Sequence, residues 1–272
     1  MINIEIPRYT SDDFALMHKA GALAAHVLDF VTPHVVPGVT TQALNDLCHA
    51  EIIRYGGQSA ILNYKGFPQS TCISLNHVVC HGIPSDRKLK DGDILNIDVT
   101  VVLDGWFGDT SRMFYAGTPS LKAQKLTETT YHALMQAIDL VRPGITLGDI
   151  GACIQQMAEA TGYSIVRDFC GHGIGRIFHD EPMVIHYGKK GTGVTLEPGM
   201  IFTIEPMINT GRPEIKILKD GWTAVTRDRS LSAQFEHTIG VTETSATIFT
   251  LSSKGYTCPP YKRIETCVGS QA

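Results

Sequence analysis

The chain has 272 residues with balanced composition, enough to bury about three quarters of its unfolded surface without covalent staples. Lys and Arg number 23 against 27 Asp and Glu; the net charge of −4, with no basic block, argues against a polyanion-binding role or direct nucleic-acid specificity. Seven cysteines without a C-x-x-C pair, no apolar run near the ~20 residues of a membrane span, and a start (MINIEIPRYT) without a basic region and apolar stretch lead us to expect a cytoplasmic protein, away from membranes.

The first predicted element is an amphipathic helix capped by Ser11, its apolar stripe formed by Phe14, Met17, Gly21, Ala24, Val27, Leu28 and Val31. Pro37-Gly38-Val39-Thr40 then opens a second helix that ends at Gly56. A His81-Gly82-Ile83 loop leads into a β-branched run through Asp98 to Leu103, and Asp104-Gly105 is a strong hairpin turn. With that turn, Leu103 pairs with Trp106, Thr100 with Asp109 and Asp98 with Ser111. Asp98 and Asp109 then share one sheet face as diagonal neighbours ~7–8 Å apart.

The second half repeats this order. Ser120 caps a helix with Leu126, Ala133, Leu134, Ala137, Ile138 and Val141 on one face, and Pro143-Gly144-Ile145-Thr146 opens another that ends at Gly162. The Pro-Gly turn and the closing glycine lie 106 positions beyond their counterparts. The segment from Leu196 to Glu205 echoes Leu89 to Asp98 with a shift of 107, and His172-Gly173-Ile174 matches the first half's His-Gly-Ile. Three landmarks in the same order indicate duplication. The expected fold is α+β, with two pseudo-twofold-related halves (roughly 12–118 and 119–250) in one domain spanning 1–256, and a loose tail over 257–272.

The chemistry-bearing residues follow from this placement. Asp98 and Asp109 would repel on one face unless a cation or proton lies between them, although Asp109 could instead cap a turn. Glu205 occupies the slot equivalent to Asp98 among Met, Ile and Phe, and Glu236 would complete a second acid pair. His172 lies in Gly171-His172-Gly173-Ile174-Gly175, which lacks both the dinucleotide fingerprint and a following Lys-Ser/Thr, so a nucleotide loop is rejected. Four carboxylates and one imidazole suit hard or borderline divalent ions such as Mn, Fe, Co or Zn. Their four negative charges balance two such ions, the charge sum of a two-metal hydrolytic site.

With these residues and motifs in view, the sequence resembles the bacterial type I methionine aminopeptidases. The resemblance runs from about Ile6 to Phe249 through Cys80-His81-Gly82-Ile83-Pro84, the Asp98/Asp109 hairpin, the His172 glycine loop, Phe178-His179-Asp180-Glu181-Pro182, Phe202-Thr203-Ile204-Glu205-Pro206-Met207 and Phe235-Glu236-His237-Thr238. It implies the pita-bread fold, a curved antiparallel sheet with helices outside. It also implies that Asp98, Asp109, His172, Glu205 and Glu236 bind two divalent ions, Asp109 and Glu236 bridging. Glu205 would shuttle the proton, and His81 and His179 would be catalytic histidines that contact substrate.

A methionine slot of Tyr64, Phe67, Cys72, Phe178 and Trp222 is implied too, as is a Na or K site at Asn76, Val78 and Ser232. Substrates would be N-terminal Met peptides and nascent chains, met by a monomer in transient contact with the ribosome. Phe67, Ile177, Phe235 and His77 depart from the family pattern. Two rivals are an Xaa-Pro aminopeptidase or prolidase, which usually carries an additional N-terminal domain, and a dead binding module, which would be expected to have lost ligands.

Overall fold

The computed structural model describes residues 5–261. Four helices, α1 (Ser11–Val31), α2 (Thr41–Arg54), α3 (Leu121–Asp139) and α4 (Leu147–Ala160), cover the outside of a curved antiparallel sheet. This is the expected α+β pita-bread arrangement. In the nine-stranded sheet, Gln58–Ser59, Asp93–Leu103, Trp106–Ala116, Glu236–Val241, Ile201–Ile204, Gly171–Gly173 and Asp180–Val184 lie side by side in that order. Cys72–Leu75 pairs alongside Asp93–Leu103, and Ala246–Ile248 alongside Glu236–Val241.

Both halves are built by the same local rules. Gly38 and Gly144 turn with φ of 95° and 91°, and each donates its N–H to a leucine carbonyl, Leu89 and Leu196. Isolated bridges join Thr40 to Lys88 in one half and Thr146 to Thr195 in the other, reproducing the shifts read from the sequence. Two apolar cores mirror the duplication. One gathers Leu28, Leu44, Ile52 and Ile97 under α1 and α2; the other gathers Leu134, Ile150, Phe202 and Ile239 under α3 and α4.

Two expectations about α1 need correction. Its N-cap is Thr10, one residue before Ser11, because Asp13 closes a capping box: Thr10 Oγ1 accepts from Asp13 N while the Thr10 N–H donates to Asp13 Oδ2. The stretch Ser11–His34 is also long and apolar enough, by length and composition, to cross a membrane. Here 56% of an apolar 18-residue window of that stretch is buried inside the fold, so its apolar residues serve the core. Helix and sheet approach so closely that a Cβ on Gly108 would strike the Ala20 backbone.

The long hairpin has the predicted register: Leu103 opposite Trp106, Thr100 opposite Asp109, Asp98 opposite Ser111. Asp104 and Gly105 turn with φ of 52° and 75°, as a two-residue turn of this kind requires. Alternation then divides its residues. Ile97, Val99 and Val101 face the helices, whereas Asn96, Asp98 and Thr100 face the concave side.

Behind the hairpin, fully buried Asp29 of α1 accepts from Arg112 at 2.5 Å and from Ser252 Oγ at 2.7 Å. Lys254 Nζ reaches the Asp29 carbonyl. Tyr261 donates its hydroxyl to the Met113 carbonyl and packs on Phe114. Of the segment expected as a loose tail, residues up to Tyr261 therefore reach the body of the fold; 262–272 lie outside the described residues. The six cysteines among the described residues are free thiols.

Arg112→Met would leave Asp29 buried without its cation. The expected cost is about 3–5 kcal/mol of unfolding free energy by urea denaturation, and a loss below 1 kcal/mol would show that the pair does not clamp α1 to the sheet.

Candidate metal centre and its cavity

Register places the acids. Asp98 and Glu236 both sit opposite Ser111, one on each side of the Trp106–Ala116 strand, so the three form a row across neighbouring strands. Cys72 extends the row beyond Asp98. Asp109 stands two residues from Ser111 on the same face. Glu205 directly follows Ile204, which pairs with His237, and so lies beside Glu236. His172 enters from the neighbouring Gly171–Gly173 strand. That strand is pressed so tightly between its neighbours that a Cβ on Gly171 would hit the Thr203 carbonyl, and one on Gly173 the Glu181 carbonyl.

All five side chains line one cavity of about 670 Å³. Asp109, His172 and Glu236 are buried, each offering a ligand atom within 4.8 Å of the others. His172 Nε2 lies 3.6 Å from Asp109 Oδ2 and 3.8 Å from Glu205 Oε1. Its Nδ1 faces the Gly173 carbonyl at 3.0 Å. A carbonyl can only accept, so Nδ1 carries the proton and the Nε2 lone pair is free for a cation.

The electrostatics call for positive charge. Burial, then Asp109 and Glu205, hold Asp98 well above the usual carboxylate range. Burial, then Asp109, Glu205 and Asp98, do the same to Glu236. Glu205 is pushed up to about 7 by burial and Asp109, against the lowering pull of His172 and Thr203. Burial disfavours the charged form of His172, yet Asp109 and Glu205 raise its pKa overall. Buried Asp98 Oδ1 has no hydrogen-bond partner. An all-oxygen-and-imidazole donor set, crowded and short of partners, fits divalent ions.

Several side chains support this set. Thr100 Oγ1 donates to Asp109 Oδ1 at 2.8 Å, leaving Oδ2 turned toward His172. Thr203 Oγ1 accepts from the His172 N–H and donates to Glu205 Oε1, so one hydroxyl serves two residues of the cluster. Gln234 donates to Glu205 Oε2 at 3.3 Å. His186, fully withdrawn from water, accepts the Glu205 backbone N–H through Nε2 at 3.0 Å. Only Thr100 was legible beforehand, as the even-numbered neighbour of Asp98 in an alternating strand.

His81 and His179 also line the cavity. His81 has left-handed backbone (φ 55°) and sits edge-on to Phe169 and Trp222. Burial lowers its pKa, with Asp109 opposing. His179 is lowered to about 4 by burial and by the His172, Lys65 and His81 charges, against Asp109. Tyr64, Phe67, Cys72, Phe178 and Trp222 come together with Ile61 as one apolar wall. Among the departures, Phe67 lines this wall. Phe235 is turned into the core against Tyr131, and Ile177 is exposed.

Away from the cavity, Asn76 O accepts the Ser232 N–H at 2.8 Å, and Val78 opens the strand two residues on. Ser232 Oγ is buried without a partner there.

The profile of Metallopeptidase family M24 matches residues 15–243. A methionine aminopeptidase of Rickettsia prowazekii is 60% identical over 254 residues, 93% of this chain and 98% of the relative. The chain belongs to the methionine aminopeptidases of metallopeptidase family M24.

The Escherichia coli K12 methionine aminopeptidase is 54% identical over 244 residues, 89% of this chain and 92% of the relative. A crystal structure of the Rickettsia methionine aminopeptidase superposes with a TM-score of 0.90, at 60% identity, covering 91% of this chain and all of that one. A prolidase from Pyrococcus furiosus shares the fold at 22% identity and TM-score 0.69, and this chain spans 65% of its length. Members of family M24 are metallopeptidases, so a divalent-ion site and peptide substrates follow from membership.

The pH dependence of the metal-free protein has a definite sign. Glu205 has a raised folded pKa, so its contribution to stability is complete below about 4.5 and is lost as pH rises through about 7. The melting temperature in chelator should therefore fall across this window, and fall less steeply in Glu205→Gln. An unchanged slope in that variant would contradict the assignment.

Proposed function

We propose that the protein removes the initiator methionine from nascent proteins and peptides by hydrolysing the first peptide bond. It would act as a monomeric cytoplasmic enzyme that meets its substrates in transient contact with the ribosome. The observation that carries this reading is an apolar wall and a set of four acids and one imidazole lining the same cavity. Methionine's flexible thioether suits a wall of Tyr64, Phe67, Cys72, Phe178 and Trp222.

Asp98, Asp109, His172, Glu205 and Glu236 would hold two divalent ions among Mn, Fe, Co and Zn. Such ions supply Lewis acidity toward the scissile carbonyl and the attacking water. Glu205 takes the water's proton and passes it to the leaving amine, its carboxylate held by Thr203 and Gln234. Asp98 pairs with the substrate's free α-amine, which restricts cleavage to the chain end.

His179 donates to the carbonyl oxygen as negative charge develops there. The surroundings that lower its pKa support a neutral ring at working pH. His81 contacts the scissile nitrogen. The buried, unpartnered Ser232 hydroxyl, beside the Asn76 and Val78 loop, supports a Na or K ion there.

Purified protein supplied with Mn or Co should release Met from Met-Ala-Ser and leave an Xaa-Pro peptide intact; the reverse preference would overturn the methionine reading in favour of a prolidase-like one. Strong chelation should stop turnover and added Mn, Co or Fe restore it. Asp98→Asn, which removes one charge at nearly constant volume, should abolish turnover while the fold persists by circular dichroism.

For His179→Ala we expect turnover to drop by on the order of 10²–10³-fold, with metal stoichiometry and melting temperature little changed. Lost metal, or unchanged turnover per folded molecule, would remove His179 from the donor role.

A further inference from the structure

Tyr64 makes one contact that a methionine slot does not need. Its hydroxyl lies 3.1 Å from Nδ1 of His179, with the two rings stacked at 5.4 Å and 24°. The hydrogen bond can be wired in two ways, with opposite consequences. If the phenol donates, Nδ1 is the bare nitrogen and a neutral ring must carry its proton on Nε2. If Nδ1 donates, Nε2 presents a lone pair to the cavity and would repel a developing oxyanion.

Local structure favours the first wiring. Lys65 Nζ stands 5.2 Å from the centroid of the Tyr64 ring, where a cation draws electron density from the phenol and strengthens its O–H as a donor. The loop that presents Tyr64 is tightly made: its N–H donates to the Ile61 carbonyl and its own carbonyl accepts from Phe67 N. The flanking Asn63 and Lys65 are left-handed, at φ of 67° and 48°. Strain at two non-glycine residues persists only where surroundings over-determine it, commonly at working sites. Phe178 packs against both the Tyr64 and the His179 rings and is itself stacked on Phe107 at 5.6 Å and 7°, which holds the pair in register.

We propose that Tyr64 is a positioning residue for the reaction: its hydroxyl donates to Nδ1 of His179 and thereby fixes the Nε2–H tautomer that the substrate carbonyl requires. The proposal rests on the reading of His179 as the carbonyl donor. The probe is the full chain loaded with Zn and labelled with ¹⁵N-histidine, because imidazole ¹⁵N shifts distinguish protonated from bare nitrogens. The wild-type His179 signals should show bare Nδ1 and protonated Nε2, and Tyr64→Phe, which keeps the ring, should lose that preference.

Turnover of Met-Ala-Ser by Tyr64→Phe should fall on the order of 10-fold with KM changed less than twofold, as loss of a partner that orients a working imidazole does. The same change in a His179→Ala background should cost no further turnover. A protonated Nδ1 in the wild type, a loss confined to KM, or an equal loss in the His179→Ala background would overturn the role of Tyr64. Normal turnover by His179→Ala beside the expected spectrum would instead overturn the donor reading, and the proposal with it.

Discussion

Four carboxylates set side by side on a half-dry sheet face push one another apart, and much of the surrounding structure opposes that push. Asp98, Glu205 and Glu236 all have raised pKa values, with burial the largest cause and their acidic neighbours adding to it. Such an array holds its shape only if the backbone beneath it cannot yield. The eleven-residue strands of the long hairpin, backed by α1 at Gly108 and by the Asp29–Arg112 pair, provide that stiffness. Hydroxyl bonds from Thr100 and Thr203, and a longer amide bond from Gln234, then fix individual oxygens. A divalent ion would convert the repulsion into attraction, so the same geometry that is strained without cations becomes selective for them.

Duplication explains how such an array arises from an ordinary sheet. Each half brings an acid at the same place in its turn-and-strand order, Asp98 in one and Glu205 in the other. The turns that set them share glycine conformations to within a few degrees: Gly92 at 90° and Gly199 at 89°. The halves then diverge where chemistry differs. His172 lies within a strand and lends an imidazole to the acids, whereas His81, its counterpart in the echo, stands just beyond a strand with left-handed backbone and faces the aromatic wall.

What could be read in advance followed from periodicity and local turn chemistry. The Asp104-Gly105 turn alone determined eleven residue pairings and thus the face shared by Asp98 and Asp109. Helix ends were legible from Pro-Gly and Gly landmarks, but the first cap was misplaced because Asp13 favours Thr10 over Ser11 through a reciprocal bond. The apolar length of α1 was underestimated because its alanines and glycine scatter between polar residues. Contacts that depend on the order of distant strands were not legible. His186 and Glu205 are nineteen positions apart, and nothing in either segment signals that one ring accepts the other's amide. Nor does sequence reveal that Tyr64 and His179, 115 positions apart, share a hydrogen bond.

The order of strands has a consequence for how the chain acquires its shape during synthesis. One of the two sheet neighbours of Trp106–Ala116 is Glu236–Val241, made more than a hundred residues later, and Asp29 finds Ser252 only after a still longer interval. The first half can bury its own apolar residues as it emerges, but its sheet edge stays open and Asp29 lacks its hydroxyl partners Ser252 and Ser253 until the downstream segment arrives. Contacts of such sequence separation are slow to close, because a long loop must be ordered before any bond rewards it. A partly synthesised chain that ends before Glu205 and Glu236 therefore carries only Asp98 and Asp109, two of the four acids and far less than half of their mutual repulsion. The chain becomes competent to gather cations only as its final strands slide into the middle of the sheet.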